Sequence, residues 1–124
     1  MLFINKFSPT PIYLQVIDQF EELIFTGVIG AEEALPSVRA LAKELGVNPN
    51  TLQRAYGEME NRNLCVSVPG SGRYVTKDAK KIIMKQKKES INEIADIVRN
   101  AKQSGVKLDD IVDLVKRVYK ETSG

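Results

Sequence analysis

Between Asn48 and Arg54 the chain places Asn48, Asn50, Thr51, Gln53 and Arg54 around Pro49 and Leu52. Amides, a hydroxyl and a guanidinium in that pattern offer hydrogen bonds to phosphate oxygens and to base edges. At a helix start, free backbone amides and short polar side chains hold a phosphate, and Arg54, one turn on, reaches a phosphate or a guanine edge. Arg39 suits a bidentate contact with an anion. Other chemistry has few residues to run on. The sequence holds no histidine and one cysteine, Cys65, too few ligands for the usual zinc and transition-metal sites, and none of the Ser-His-Asp or Cys-His sets used in nucleophilic catalysis. No phosphate-binding glycine loop follows a strand, and the carboxylates are scattered among lysines as on solvated helix faces. No enzymatic activity, cofactor or metal is expected. Cys65, between Leu64 and Val66, reads as a small buried or half-buried hydrophobe.

These residues must be carried by a small scaffold. A chain of 124 residues, 43% hydrophobic and 27% charged, has room for one compact domain and a short appendage, with no sign of disorder. The formal net charge is only +2, but its distribution is uneven. Arg39, Lys43 and Arg54 stand against Glu44 alone, and the run Lys77, Lys80, Lys81, Lys85, Lys87 and Lys88 has Asp78 as its acid, which gives the fold a basic side. No apolar run approaches the roughly 20 residues of a membrane helix, and MLFINKFSPT lacks the layout of a signal peptide. A cytoplasmic location without membrane contact is expected.

Ile12, Tyr13, Val16, Ile17, Phe20, Leu23 and Ile24 recur at helical spacing, predicting a helix over 11–26 with Thr10 as its cap, Pro11 in its first turn and Gly27 as its end. Val28 to Ala34 is a connecting turn. Ser37 caps a short second helix over 38–45 whose inner face is Val38, Leu41, Ala42 and Leu45, and Gly46 terminates it. Asn48-Pro49 then opens a third helix that buries Leu52, Ala55, Tyr56 and Met59 and turns Asn50, Thr51, Gln53 and Arg54 outward. After Asn63 the period falls to two, with Leu64, Val66 and Val68 alternating with Cys65 and Ser67. Pro69-Gly70-Ser71-Gly72 turns the chain into Arg73-Tyr74-Val75. The outline is mainly α with a small β-hairpin. Ala42, Gly46 and Leu52 have the spacing of a helix-turn-helix, and a hairpin follows it directly.

Residues 11–75 resemble the GntR family of bacterial regulators. The matching strings are PIYLQV at 11–16, LPSVRALAKELGVNPNTLQRAY at 35–56 and GSGRYV at 70–75. VNPNTLQRAY with a short C-terminal region is similar to the YtrA-like subfamily. The resemblance implies a winged helix-turn-helix over 1–76 that binds double-stranded DNA, with helix three in the major groove, Arg39 supporting it from helix two, and the wing tip at the minor groove. Ser37, Arg39, Asn48, Asn50, Thr51, Gln53, Arg54, Gly70, Gly72 and Arg73 are the expected contact residues. Gly70 and Gly72 close the wing turn and leave bare backbone to enter a groove. Where the family commonly carries basic residues before the wing glycines, this chain has Val68-Pro69, so phosphate attraction by the wing falls to Arg73. The resemblance also implies a repressor, and an unidentified small-molecule effector stays open as a further partner.

Residues 77–124 show two apolar helical stripes, Ile91, Ile94, Ala95 and Val98, then Leu108, Ile111, Val112, Val115, Val118 and Tyr119, broken at Ser104-Gly105. Two helices cannot hide both stripes in a core of their own, so a partner surface is required. Only 49 residues follow Val75, too few to enclose a metabolite pocket, and the segment reads as a dimerisation arm. A two-fold homodimer would require an inverted-repeat operator. The alternative is a winged helix serving as a protein-interaction module without DNA.

Overall fold

The computed structural model describes residues 2–121, so Met1 and Thr122 to Gly124, the outer ends of the two regions just outlined, lie outside the described residues. The order is α1 (Ile12–Phe25), α2 (Val38–Leu45), α3 (Pro49–Asn61), β1 (Cys65–Val68), β2 (Gly72–Val75), α4 (Ala79–Gln103) and α5 (Leu108–Lys120). Two compact units divide within α4, after Lys85.

The first unit is built on α1, α2 and α3. Val16, Ile17, Phe20 and Ile24 of α1 are buried against Leu52, Ala55, Tyr56 and Met59 of α3, with Leu41 and Ala42 of α2 completing that layer. Each large side chain buried there contributes roughly 1.5–3 kcal/mol relative to exposure. Phe20 meets Tyr56 edge-on at 5.8 Å between ring centroids, a favoured geometry for two quadrupoles. The buried Tyr56 hydroxyl donates to the Pro36 carbonyl at 2.7 Å. Burial pushes the Tyr56 phenol above its usual range, with Arg73 partly opposing. Ala79 and Ile83, from the first turns of α4, lie in the same core.

The start of α1 differs from the expectation. Pro11 occupies the N-cap position and no side chain caps the helix. Thr10 instead gives its amide to Ser8 Oγ and its carbonyl to Gln15 Nε2. Gln15 and Gln19, one turn apart, act like rungs of a ladder: each side-chain amide both accepts from and donates to the backbone, at Asn5 and Phe3 respectively. This fastens the N-terminal segment along α1.

In the hairpin, Cys65 pairs with Val75 and Val68 with Gly72. Ser71 donates its amide to the Val68 carbonyl at 3.0 Å, and Gly70 takes φ +74° behind Pro69, the arrangement of a type II turn. The inward face carries Cys65, not Val66 and Val68, which are 50% and 43% exposed. Leu64 is also buried; it follows Asn63, at φ 62° two residues past the end of α3, and precedes the pleat, outside its alternation. Burial, with the charge of Glu60 adding, pushes the Cys65 thiol up to about 11. The segment expected as a simple turn adds a third edge: Glu32 and Leu35 donate to the carbonyls of Val75 and Arg73, and Val75 donates to Glu33.

The second unit is the remainder of α4 with α5, joined through Gly105 at φ +88°. Asp109 and Asp110 stand in the first turn of α5 and Arg117 and Lys120 in its last, each sign where the helix dipole favours it. None of its described residues is buried.

Candidate nucleic-acid interface

The turn between α2 and α3 is held by local devices. Ser37 Oγ accepts from the Ala40 amide at 3.1 Å, and Gly46 closes α2 at φ 66°. Asn48 Oδ1 accepts from the Asn50 amide at 2.8 Å, and the Asn48 carbonyl accepts from the Thr51 amide at 3.0 Å. This corrects one expectation: with Pro49 lacking a donor and these two amides engaged, the first turn of α3 has no free amide at 49, 50 or 51 for a phosphate. An anion there meets side chains instead.

The outward face of α3 carries Asn50, Gln53 and Arg54, all exposed, with Thr51 half-buried. The Arg54 guanidinium lies 3.8 Å from the centroid of the Tyr13 ring. Stacking on α1 restrains the side chain and leaves the edge of its N–H fork available. Arg39, exposed on α2, makes no ion pair or side-chain hydrogen bond among the described residues.

Arg73 is placed differently. Its Nε donates to Glu60 Oε1 at 2.6 Å, its Nη2 donates to Gln53 Oε1 at 3.2 Å, and its guanidinium sits 5.3 Å from the Tyr56 ring centroid. Hydrogen bonds first from Ser67 and then from Arg73 hold the Glu60 carboxyl below its usual range. Arg73 thus spends much of its charge on tying the wing to α3. A cleft of about 380 Å³ brings Ser37, Gln53, Gly72 and Arg73 together, with Pro36 and Ser71 also in its walls. Arg39, Asn48, Asn50, Thr51, Arg54 and Gly70 lie outside its lining. An added Cβ at Gly70 or Gly72 would meet nothing, so the positive φ alone accounts for glycine in the unbound wing.

Tyr13, Glu60 and Lys6 join the site without having been singled out from sequence; Lys6 Nζ donates to the Gly46 carbonyl at 3.4 Å, at the turn itself. Tyr13 had a place in the α1 periodicity, but its partner Arg54 and the partner of Glu60, Arg73, are remote in sequence and no local pattern pairs them. Among the described residues no group of three or more His, Cys, Asp or Glu could hold a metal ion, and no helix is long and apolar enough to cross a membrane.

Residues 12–75 match the family described as bacterial regulatory proteins, gntR family. The chain is 34% identical over 125 residues to the HTH-type transcriptional repressor YtrA of Bacillus subtilis, covering 100% of this chain and 96% of that protein. A GntR family transcriptional regulator from Listeria monocytogenes has a similar structure, with a TM-score of 0.71 at 32% identity over 92% of this chain and 98% of its own. The DNA-binding domain of AraR, solved in complex with an operator, matches 60% of this chain and 93% of its own with a TM-score of 0.54 at 30% identity.

Proposed function

The chain belongs to the GntR family of bacterial regulatory proteins as a winged-helix, DNA-binding transcription regulator, and from this premise we propose that it represses its target genes by binding an inverted-repeat operator as a homodimer in the cytoplasm. It is not an enzyme in this reading. The outward polar face of α3, with an unpaired Arg39 beside it, carries the proposal. Residues 1–76 bind DNA and residues 77–124 dimerise. Arg39, Asn50, Thr51, Gln53 and Arg54 make the contacts of α2 and α3 in and around the major groove. Ser37 and Asn48 cap the two helices, while Gly70 and Gly72 shape the wing tip that Arg73 anchors. Charge on Arg39 and Arg54 adds phosphate contacts, so affinity falls steeply with salt.

Dimerisation is supported by the second unit, where Leu108 is 75%, Val115 47% and Val118 50% exposed within one chain. Such a stripe is buried by a matching stripe on a second copy, and a two-fold axis places two α3 helices on successive major-groove faces. YtrA is named a repressor, and AraR's domain is described in complex with operator; both agree with this reading.

The test is an electrophoretic shift on the promoter of the chain's own operon and on unrelated DNA at matched salt, with light scattering at the same concentrations. Salt-sensitive binding selective for the promoter, by a dimer, is expected. A folded protein that shifts neither DNA would leave the winged helix as a protein-interaction module. Selective binding by a monomer would remove the dimer and its inverted repeat.

A further inference from the structure

The wing and α3 are joined by a chain of side chains that runs from Glu60, two turns along α3 from Gln53, through Arg73 to Gln53 itself. Glu60 Oε1 accepts from Ser67 Oγ at 2.5 Å and from Arg73 Nε at 2.6 Å. The Arg73 side chain is only 24% exposed. It lies toward the ring of Tyr56, which is itself 1% exposed and pinned through its hydroxyl to Pro36. From this supported position Nη2 donates to Gln53 Oε1 at 3.2 Å. We infer that Glu60 and Arg73 are positioning residues that fix which way the Gln53 amide faces, and so make Gln53 select guanine over adenine in the operator.

The reason is hydrogen-bond polarity. A glutamine amide has one accepting end and one donating end. With Arg73 beside it, a flipped amide would set its NH2 against the guanidinium N–H groups, donor to donor, so the carbonyl stays toward the wing. The end left for DNA is the NH2 group. Two N–H donors match the N7 and O6 acceptors of guanine. Adenine offers N7 as an acceptor but N6 as a donor, and its bidentate pairing with glutamine needs the carbonyl that Arg73 holds. A glutamine without this tether would prefer adenine. A contact wholly inside the protein thereby sets a base preference.

The inference rests on the reading that α3 enters the major groove, and the test separates the two. Full-length protein and the variants Gln53→Ala, Arg73→Met and Glu60→Ala would each select from a duplex library randomised across the operator half-sites, with melting temperatures recorded. Wild type is expected to select guanine at a position in each half-site where Gln53→Ala reduces the preference by about tenfold, the scale of one base contact. At that same position Arg73→Met, which has no N–H donor for Glu60 or Gln53, moves selection from guanine toward adenine by about tenfold with the other positions unchanged. Glu60→Ala does the same through the loss of its hold on Arg73. If Gln53→Ala alters no position while wild type still selects an operator, Gln53 reads no base and the inference fails with the reading of α3 intact; a folded wild type that selects no sequence overturns that reading itself. If Gln53→Ala acts but the other two variants keep wild-type guanine selection, the positioning role fails alone. Wild-type selection of adenine at the Gln53 position also overturns it, as does an even loss across all positions with a lowered melting temperature in both variants.

Discussion

The two units treat apolar surface in opposite ways. In the first, Val16, Ile17, Phe20, Leu52, Ala55 and Met59 have no measurable exposure, and strands and helix ends supply the remaining walls. In the second, the side chains of the same hydrophobic character stay open: Ile91, Ile94 and Val98 of α4 are 62%, 55% and 38% exposed, and α5 buries none of its described residues. Both stretches have amphipathic periodicity, so periodicity does not distinguish them. What differs is the number of elements that converge. Three helices and a hairpin can enclose a core, whereas two helices offer each other one narrow seam and leave the rest of both stripes to a partner. In the proposed dimer the second unit's stability depends on concentration, whereas the first unit carries its own enclosed core.

The contrast yields variants of decreasing effect. Phe20→Ala removes the ring at the centre of the first core and should cost about 3–5 kcal/mol, a large part of the stability of a small domain; thermal melting by circular dichroism measures it. Val115→Asp, placed on the open stripe, should leave melting of the first unit unchanged, convert the dimer to a monomer in light scattering and weaken operator binding about 100-fold through lost bivalency. A lowered melting point with the dimer retained would erase the distinction between the units. Arg39→Ala touches neither core nor stripe, and should lower operator affinity by about 1–3 kcal/mol without moving the melting temperature. Asn48→Ala removes the cap of α3 and should destabilise the first unit by about 0.5–2 kcal/mol. The smallest effect concerns the wing. Glu60 titrates below its usual value of 4.5 because Ser67 and Arg73 hold its charged form. Its contribution is full above that value and is lost as pH falls through the lower folded value. Proton exchange at Ser67 and Arg73 amides should accelerate, relative to α3, only on the acid side of pH 4.5, and Glu60→Gln should abolish that dependence.

Much of the scaffold was legible because single residues punctuate it. Ser37 and Gly46 bracket α2 at the expected ends, Asn48-Pro49 opens α3, and Pro69-Gly70 turns the hairpin. Thr10 was legible only as a type: threonine before proline suits a helix cap, yet α1 begins at Ile12 with Pro11 in the N-cap position, which puts Thr10 one residue too early to cap it. Strand alternation did not say which face of the hairpin is inward; Cys65 is buried, as its apolar neighbours suggested, while Val66 and Val68 are exposed and Leu64 lies before the pleat. At the site, sequence placed Asn50, Thr51, Gln53 and Arg54 on the outward face of α3, since a helix with one apolar stripe leaves its other positions to solvent, and all but the half-buried Thr51 are exposed.

Sequence by itself determined the local features: which segments are helical, where they start and stop, which face each buries, and the family to which the chain belongs. Caps, turns and periodicity act over a few residues, so they can be read from a string. Only tertiary structure decided what three arginines do. Arg39, Arg54 and Arg73 look alike in the sequence, yet one stays unpaired, one stacks on Tyr13 and one bridges Glu60 to Gln53. The partner of a long, flexible side chain is selected by which remote elements packing brings within about 3 Å, and the spacing along the chain carries no record of that distance.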